Sequence, residues 1–359
     1  MKKHKQKVNP MSKEYKLQED SKNIVLLRQI TDVLPFCSRG FFTEMLGSRG
    51  LSSRTVLGYA RDFEVFCFYL KESNPLIKDY QDITPEFLDN LKALDIDEYL
   101  AYLSLYKRNG KDWQNSVAGK RRKLSCLKSF WKWAMKHDIL HSNPTQFTSG
   151  PKEHTKDVIK IDVSEIPDVY QNIESGNTLT EHSRKISAKS KLRDMAIISL
   201  MLGTGIRVSE CAGIDLSDIN FTESSIKIIR KGGNEQKVYF GETVSRHLTG
   251  YIESERMDPK DGSGALFVSR NRTRLTVRSI EKIVKKYVDP VVSEDITPHK
   301  LRSTFATELY NQSKDLYLIQ SALGHKQIQT STRYTGIDES HRKEVPNFIE
   351  NLQERQKEE

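Results

Sequence analysis

A segment rich in proline, glycine and mixed charge, "HSNPTQFTSGPKEHTKD" at residues 141–157, interrupts the chain before its midpoint. Asn-Pro and Ser-Gly-Pro sequences are typical of turns, because proline disfavours a helical conformation in the residue before it. A chain of 359 residues is long enough for two domains, since single domains commonly contain about 100–200 residues. We therefore predict two domains, joined by a linker over residues 149–160.

The part of the chain before this linker has helical periodicity. In "LSSRTVLGYARDFEVFCFYLKES" the apolar residues recur every three or four positions, after a serine that can cap the helix. A second helix is predicted in "SVAGKRRKLSCLKSFWKWAMKHDIL", where an apolar stripe and a basic face alternate. Residues 1–23 are polar without periodicity, which predicts a flexible leader. We expect an all-helical domain over residues 24–148.

Beyond the linker, helical patterns alternate with short patterns typical of strands. The run "LRDMAIISLML" predicts a helix that ends at the glycines of "GTG", while "SIKIIR" and "QKVYF" predict two strands joined by a turn at "KGGNE". This indicates an α+β domain over residues 161–345 with a small antiparallel sheet, so that the whole chain is mostly α. One face of residues 346–359 is apolar, which predicts a tail helix.

Basic charge is concentrated near the end of the first domain. The whole chain has a formal net charge of +9, and residues 106–136 contain ten Lys or Arg and one acid, which gives 10 − 1 = +9 for this segment alone. A solvated helix face is one interpretation, and contact with the phosphates of a nucleic acid is the one we favour. The candidate DNA-binding residues are Lys120, Arg121, Arg122, Lys128 and Lys132.

Several classes of protein are not supported by the sequence. The chain has no apolar run of about 18 residues and no apolar segment behind its basic N-terminus, so we expect neither a membrane span nor a secretory signal. An intracellular location is expected. The four cysteines are widely separated, which predicts buried core residues rather than disulfides or a zinc site.

Two motifs after the linker place an arginine where an anion can bind. In "TPHKLRST", His299 and Arg302 lie three residues apart on one face of a helix, near its N-terminus. In "GTGIRVSEC", Arg207 follows two glycines, and Glu210 three residues later can brace its guanidinium. Taken singly, such residues are more commonly capping or surface groups.

Three further residues complete a set. Lys231 stands at the turn of the predicted hairpin, His325 directly follows the glycine of "SALGHKQ", and Tyr334 comes nine positions later. The order and local sequence of the whole set strongly resemble the tyrosine recombinase (phage integrase) family, and most of all the Xer group of bacterial recombinases. The resemblance extends over roughly residues 24–345, where "TVLGYARDFEVFCFYL" is similar to the DNA-clamping domain of that group.

The resemblance implies a fold and a catalytic mechanism. The fold would be a helical DNA-binding clamp followed by a catalytic domain, and Tyr334 would attack a DNA phosphodiester to form a 3′-phosphotyrosyl link. Arginines and histidines would stabilise the transition state, His299 would accept the phenolic proton, and Lys231 would protonate the leaving 5′-oxygen. Neither a metal, another cofactor nor ATP would be needed. The implied catalytic residues are Arg207, Lys231, His299, Arg302, His325 and Tyr334.

The resemblance also implies partners. These are duplex DNA with paired recombination sites and a homotetramer, with or without a second recombinase or an accessory protein. In the homotetramer the tail would dock on a neighbouring protomer, and packing of the tail on its own domain is the alternative. The location would be the cytoplasm, at the nucleoid. The task would be resolution of chromosome or plasmid dimers, with a role in chromosome partition and cell division, or integration and excision of a mobile element. A relaxing enzyme similar to type IB topoisomerases and a non-catalytic DNA-binding regulator remain as alternatives.

Two features depart from the Xer pattern. The segment from 172 to 194 is longer and more polar than in that group, which predicts an added surface loop or helix. Ser303 stands where the family often has a histidine after the second arginine. The first feature has no assigned role, and the second leaves the catalytic set unchanged.

Overall fold

A computed structural model describes residues 13–152, 161–230, 234–292 and 295–324. The chain divides into two compact units, which are Lys16–Thr155 and the combination of Met1–Tyr15 with Lys156–Glu359. Several of the predicted domain limits fall on residues outside these described ranges, and the limits stay predictions.

The first unit is built mainly from helices. A short pair of strands lies between the fifth and sixth of the α-helices that the structure describes. In chain order the elements are α1 (Lys13–Val33), α2 (Arg39–Leu46), α3 (Ser53–Ser73), α4 (Pro85–Asp89), α5 (Ala93–Tyr102), β1 (Tyr106–Arg108), β2 (Lys111–Trp113) and α6 (Val117–Lys136).

The two helices predicted for this unit, α3 and α6, are confirmed and pack against each other. Each has a serine N-cap, since Ser52 accepts a hydrogen bond from the Thr55 amide and Ser116 accepts one from the Gly119 amide. Their contact is largely aromatic, and the ring centroids of Phe63 and Phe130 are 4.7 Å apart. Burial of such large rings accounts for much of the stability of a small helical core.

Part of the predicted flexible leader is helical instead. Helix α1 begins at Lys13, ten residues before the predicted end of the leader at residue 23. Its side chains are tied to α3, because the Ser53 hydroxyl donates to Asp20 at 2.6 Å and accepts from the Asn23 amide at 3.1 Å. A local sequence pattern does not reveal long-range hydrogen bonds of this kind, so polarity alone predicts an unstructured segment.

The expectation of an all-helical first domain also needs correction. Strands β1 and β2 form an antiparallel hairpin in which Tyr106 pairs with Trp113. Its turn is Asn109-Gly110, and both residues have a positive φ, of 51° and 72°. An Asn-Gly pair is the strongest short-range signal for such a turn, but the strands contain only three residues each. The high density of basic residues around so short a hairpin conceals it in the sequence.

The second unit combines helices with one small sheet. In chain order its elements are α7 (Ile166–Ser175), α8 (Glu181–Ser187), α9 (Lys191–Thr204), α10 (Val208–Gly213), β3 (Ile219–Asn220), β4 (Ser225–Ile229), β5 (Glu235–Tyr239), α11 (Glu242–Ser254), α12 (Val277–Val292), α13 (Pro298–Ser313) and α14 (Leu316–Leu323).

Helix α9 packs against both α11 and α13 in this unit. It is buried almost all round, and Ile197, Leu200 and Met201 have no exposed surface. The predicted hairpin is confirmed as β4 and β5, with Ile226 opposite Val238, and β3 adds a third antiparallel strand that was too short to predict. The chain is therefore mostly α with small antiparallel sheets, as expected.

The polar segment at residues 172–194 is predicted to form a surface loop or a helix. It contains helix α8. Asn172 anchors the start of the segment, because its side-chain amide donates to the Tyr287 carbonyl at 2.8 Å and its oxygen accepts from the Thr178 hydroxyl at 2.8 Å. A buried, doubly bonded asparagine explains how so polar a segment stays attached to the core.

Within the described residues, no helix is both long enough and apolar enough to cross a membrane. The four cysteines are unpaired. Cys67, Cys126 and Cys211 are buried as predicted, whereas Cys37 is only half-buried. Burial raises the pKa of the Cys211 thiol, which keeps it protonated.

Candidate active site

The first part of the site forms where α9 ends. Gly205 has a φ of 61°, and a Cβ at this position would lie 2.4 Å from Cδ1 of Phe305. The chain can turn here because glycine tolerates both the left-handed backbone and the close ring. It re-enters helix at Val208, with Arg207 as the N-cap of α10. The buried helix α9 therefore fixes the position of Arg207.

Glu210 braces Arg207 as predicted. The carboxylate accepts a hydrogen bond from the Arg207 backbone amide at 2.8 Å on Oε2, and another from Nη1 of the guanidinium at 2.8 Å on Oε1. Glu210 is only 2% exposed. Charge-assisted bonds of this kind hold a long side chain in one orientation, so that the remaining guanidinium edge has a defined direction.

Arg302 occupies the centre of the site. It lies on α13 and is 2% exposed. Its Nη1 donates to the Gly205 carbonyl at 2.6 Å and its Nη2 to the Leu323 carbonyl at 2.7 Å. Because Gly205 precedes Arg207 by two residues, Arg302 connects the Arg207 turn to the end of α14. The two predicted arginines therefore come together.

His299 lies one turn before Arg302 on the same helix, and it is exposed. Its carbonyl accepts a hydrogen bond from the hydroxyl of Ser303 at 3.1 Å. Ser303 is 5% exposed, and this bond within its own helix satisfies its buried hydroxyl.

The structure adds one residue that the sequence analysis missed, Arg230. It directly follows β4 and is 6% exposed. Its three guanidinium nitrogens each donate a hydrogen bond: Nη1 to Glu210 at 3.1 Å, Nε to Gln236 at 2.8 Å and Nη2 to the Ala322 carbonyl at 2.8 Å. Burial lowers the pKa of Arg230, and the charge of Glu210 opposes this shift. Strand alternation could have revealed it, since Ile226, Ile228 and Arg230 share one buried face.

The last three carbonyls of α14 each accept a hydrogen bond from a side chain outside this helix. The Gln236 side chain donates to the Ser321 carbonyl at 3.0 Å. The Ala322 carbonyl accepts from Arg230, and the Leu323 carbonyl accepts from Arg302. Cationic donors suit this end of a helix because its unpaired carbonyls carry partial negative charge. Gly324, with a φ of 62°, ends the helix. The chain direction at residue 324 is therefore fixed by the site itself.

Three members of the predicted catalytic set, Lys231, His325 and Tyr334, lie outside the described residues. In the sequence, Lys231 follows Arg230 and His325 follows Gly324, and both of these neighbours belong to the site. The predicted tail helix at 346–359 is also outside the described residues.

In the first unit, the predicted DNA-binding residues lie along α6, and Arg121, Lys128 and Lys132 are exposed. Arg122 is also exposed but donates to the buried Asp62 at 2.8 Å, so that part of its charge is neutralised. Lys120 is half-buried and donates to the Ser104 hydroxyl at 2.6 Å.

Comparison with known proteins identifies the family. Residues 166–341 match the phage integrase family. The tyrosine recombinase XerC of Caldanaerobacter subterraneus is 30% identical over 308 residues, which cover 82% of this chain and 81% of that protein. The chain belongs to the phage integrase family of tyrosine recombinases. It is an enzyme of the site-specific recombinase class, as predicted.

Two further comparisons extend this assignment. The tyrosine recombinase XerD of Oceanobacillus iheyensis is 29% identical to this recombinase over 317 residues, or 87% of this chain and 97% of that protein. The structure of the site-specific recombinase XerH, solved with a palindromic difH substrate after cleavage, superposes with a TM-score of 0.66. It covers 96% of this chain and 91% of its own, at 21% identity, and so confirms the fold.

Proposed function

We propose that this tyrosine recombinase cleaves and rejoins duplex DNA through a 3′-phosphotyrosyl intermediate. The observation that carries the proposal is the convergence of two fixed arginines, with His299 one turn before the second. Arg207 is braced by Glu210 at the start of its own helix, and Arg302 donates to the carbonyls of Gly205 and Leu323. The XerH structure, which shares this fold, was solved with a DNA substrate, and this supports DNA as the partner here.

The arginines suit the electrostatic requirement of the reaction. A phosphodiester resists attack by an anionic oxygen, because its own oxygens are negative and more charge develops in the transition state. Arg207 can contact those oxygens, since its side chain is 36% exposed and only Nη1 is bonded to Glu210 among the described residues. Arg302 adds a buried positive charge in a fixed place.

The remaining steps are assigned to the other members of the set. The Tyr334 oxygen attacks phosphorus, its proton passes to His299, and His325 donates to a phosphate oxygen. The bond to the 5′-oxygen breaks, and Lys231 supplies the proton that this oxygen takes. The 5′-hydroxyl of another strand can then reverse the sequence of steps and release Tyr334. Because the covalent link conserves the phosphodiester bond, the proposal requires neither ATP nor a metal.

The biological role follows from how DNA sites are paired. We assign the enzyme to exchange between two sites, in a homotetramer coupled by the C-terminal tail, at the nucleoid in the cytoplasm. Exchange between directly repeated sites resolves chromosome or plasmid dimers, and exchange between element ends and a target moves a mobile element. A second recombinase or accessory protein is compatible with either task.

The first experiment traps the enzyme on its DNA. Wild type and Tyr334→Phe are incubated with genomic fragments, and DNA that stays bound to protein after denaturation is sequenced. Wild type should yield covalent adducts at discrete sites. Tyr334→Phe should yield none while still binding DNA, since only the hydroxyl is lost. Adducts in Tyr334→Phe would contradict the assignment of the nucleophile.

The recovered site is then cloned into supercoiled plasmids in zero, one or two copies. A recombinase changes the connectivity of the two-site plasmid. Relaxation of all three plasmids alike would support the topoisomerase alternative, and binding without adducts or relaxation would support a regulator.

A further inference from the structure

Glu210 accepts hydrogen bonds from two arginines that differ in exposure, Arg207 and Arg230. Its Oε1 accepts from Nη1 of Arg207, whereas its Oε2 accepts from Nη1 of Arg230 and from the Arg207 backbone amide. The Glu210 side chain is 1% exposed, so these three donors replace nearly all of its contact with water. The carboxylate therefore depends on both arginines, because a buried charge without full pairing is strongly unfavourable.

The two arginines differ in what they can still bind. The Arg230 side chain is 7% exposed, and all three of its guanidinium nitrogens already donate within the protein. The Arg207 side chain is 36% exposed, and Nε and Nη2 make no hydrogen bond within the described residues. Arg207 is thus arranged to contact a ligand, and Arg230 is arranged to hold other groups.

We propose that Arg230 is a positioning residue that keeps the guanidinium of Arg207 available to the scissile phosphate. This inference rests on the proposed function, in which Arg207 stabilises the charge that develops on phosphorus oxygens. Arg230 acts through Glu210 and does not touch DNA.

The charges explain why one arginine is not enough. Glu210 and Arg207 alone form a neutral pair, and a buried carboxylate with vacant positions draws the guanidinium into a two-point contact with itself. Arg230 occupies Oε2 and brings the sum of the three side chains to one positive charge. The positive potential at the exposed edge of Arg207 is then preserved, where an anionic phosphate can use it.

Arg230 also connects elements that are distant in the sequence. It joins the end of β4 to α10 through Glu210, to β5 through Gln236 and to α14 through the Ala322 carbonyl. A single guanidinium therefore fixes the relative positions of the strand end and the two helices. Lysine cannot reproduce this, since its ammonium is one point charge rather than a planar fork.

The test compares Arg230→Met, Arg230→Lys and Arg207→Ala in single-turnover cleavage of a nicked duplex that traps the covalent adduct. Each is measured on normal DNA and on DNA with a neutral methylphosphonate at the scissile position. Arg256→Met is the matched control, because the Arg256 side chain is also 7% exposed and bonds to the Ala265 and Leu266 carbonyls and to Asp258.

Arg230→Met should cleave normal DNA about 100-fold more slowly, the scale of loss expected when a reacting group is displaced by about 1 Å. Its affinity for DNA should be unchanged. With the methylphosphonate, Arg230→Met and Arg207→Ala should both approach the wild-type rate, since less charge needs stabilisation. Arg230→Lys should lie between wild type and Arg230→Met, and Arg256→Met should lower the melting temperature without altering the cleavage rate.

Two results would overturn the inference while leaving the proposed function intact. One is a wild-type rate for Arg230→Met on normal DNA. The other is slow cleavage by Arg230→Met on both substrates while the methylphosphonate substrate restores the rate of Arg207→Ala. That result would mean that the Arg230 substitution disrupts the site as a whole. If Arg230→Met does not fold, the same criterion is applied to Arg230→Lys. Absence of any adduct with the wild-type enzyme would instead overturn the proposed function.

Discussion

Lys231 is the proposed proton donor, and Lys237, six positions later in the sequence, is the lysine to compare with it. Lys237 donates to Glu223 at 2.6 Å, and this hydrogen bond raises the pKa of its ammonium. A raised pKa makes Lys237 a weaker acid. Lys231 stands at the turn in the sequence, next to a residue of the site, and is the proposed donor to the leaving 5′-oxygen.

A sulfur substitution in DNA tests this assignment at the level of one atom. When the bridging 5′-oxygen is sulfur, the leaving thiolate needs little protonation, because the pKa of a thiol lies far below that of an alcohol. Lys231→Ala should therefore cleave normal DNA slowly, by about 100-fold or more, and recover on the sulfur-bridged substrate. Arg207→Ala should stay slow on both, and Lys237→Ala serves as the matched control with a rate near wild type. Rescue of Lys237→Ala, or no rescue of Lys231→Ala, would assign the acid elsewhere.

The sequence indicated the contact between Arg207 and Glu210 because the two residues are close in the chain. Arg207 and Glu210 are three residues apart at the start of a helix, and such a pair is visible in a sequence. The contacts of Arg230 with Ala322 and of Arg302 with Gly205 span 92 and 97 positions. Nothing local indicates which carbonyl a buried arginine will meet, so the role of Arg230 emerged only from the fold.

Among the elements, the end of α9 is the most constrained. Gly205 combines a positive φ with a ring 2.4 Å from the place of a Cβ, and its carbonyl accepts the hydrogen bond of Arg302. Any side chain here must change the backbone, displace Phe305, or both. The helix end and the site are therefore disturbed together.

Gly205→Ala should destabilise the protein by about 2–5 kcal/mol, from backbone strain and overpacking combined, and should slow cleavage as well. The free energy of unfolding is measured with urea, and cleavage at a temperature where the variant is folded. Gly250→Ala is the matched control within α11, where a Cβ would have no neighbour within 4 Å. Alanine there should stabilise the helix by up to about 1 kcal/mol. Equal effects of the two substitutions would contradict the steric explanation.

Helices with sustained periodicity were predictable, and very short elements were not. The stripes of α3 and α6 and the apolar run of α9 extend over several turns, so local pattern and tertiary burial agree. Strand β3 has two residues, too few for an alternation to appear. Helix α1 has little amphipathic character, and its contacts with α3 supply what its sequence does not show.

On the scale of the whole molecule, charge and catalysis are assigned to different units. The arginines of the site lie in the second unit, whereas the exposed basic face of α6 lies in the first. We expect affinity for DNA to depend chiefly on the α6 face and the chemical step on the site. Substitutions on the α6 face should then change the affinity for DNA, and substitutions in the site should change the cleavage rate.

The double variant Lys128→Ala/Lys132→Ala tests this separation through salt dependence. Each lost phosphate contact should reduce the slope of log affinity against log salt concentration by about 0.9, or about 1.8 for both. Cleavage at saturating protein should stay near wild type. Lys71→Ala/Lys78→Ala is the matched control, since it removes two exposed lysines and the same net charge from the same unit. If both double variants reduce the slope equally, DNA binding depends on total charge and not on the α6 face. An unchanged slope in Lys128→Ala/Lys132→Ala would mean that these lysines lie on a solvated helix face and do not contact phosphates.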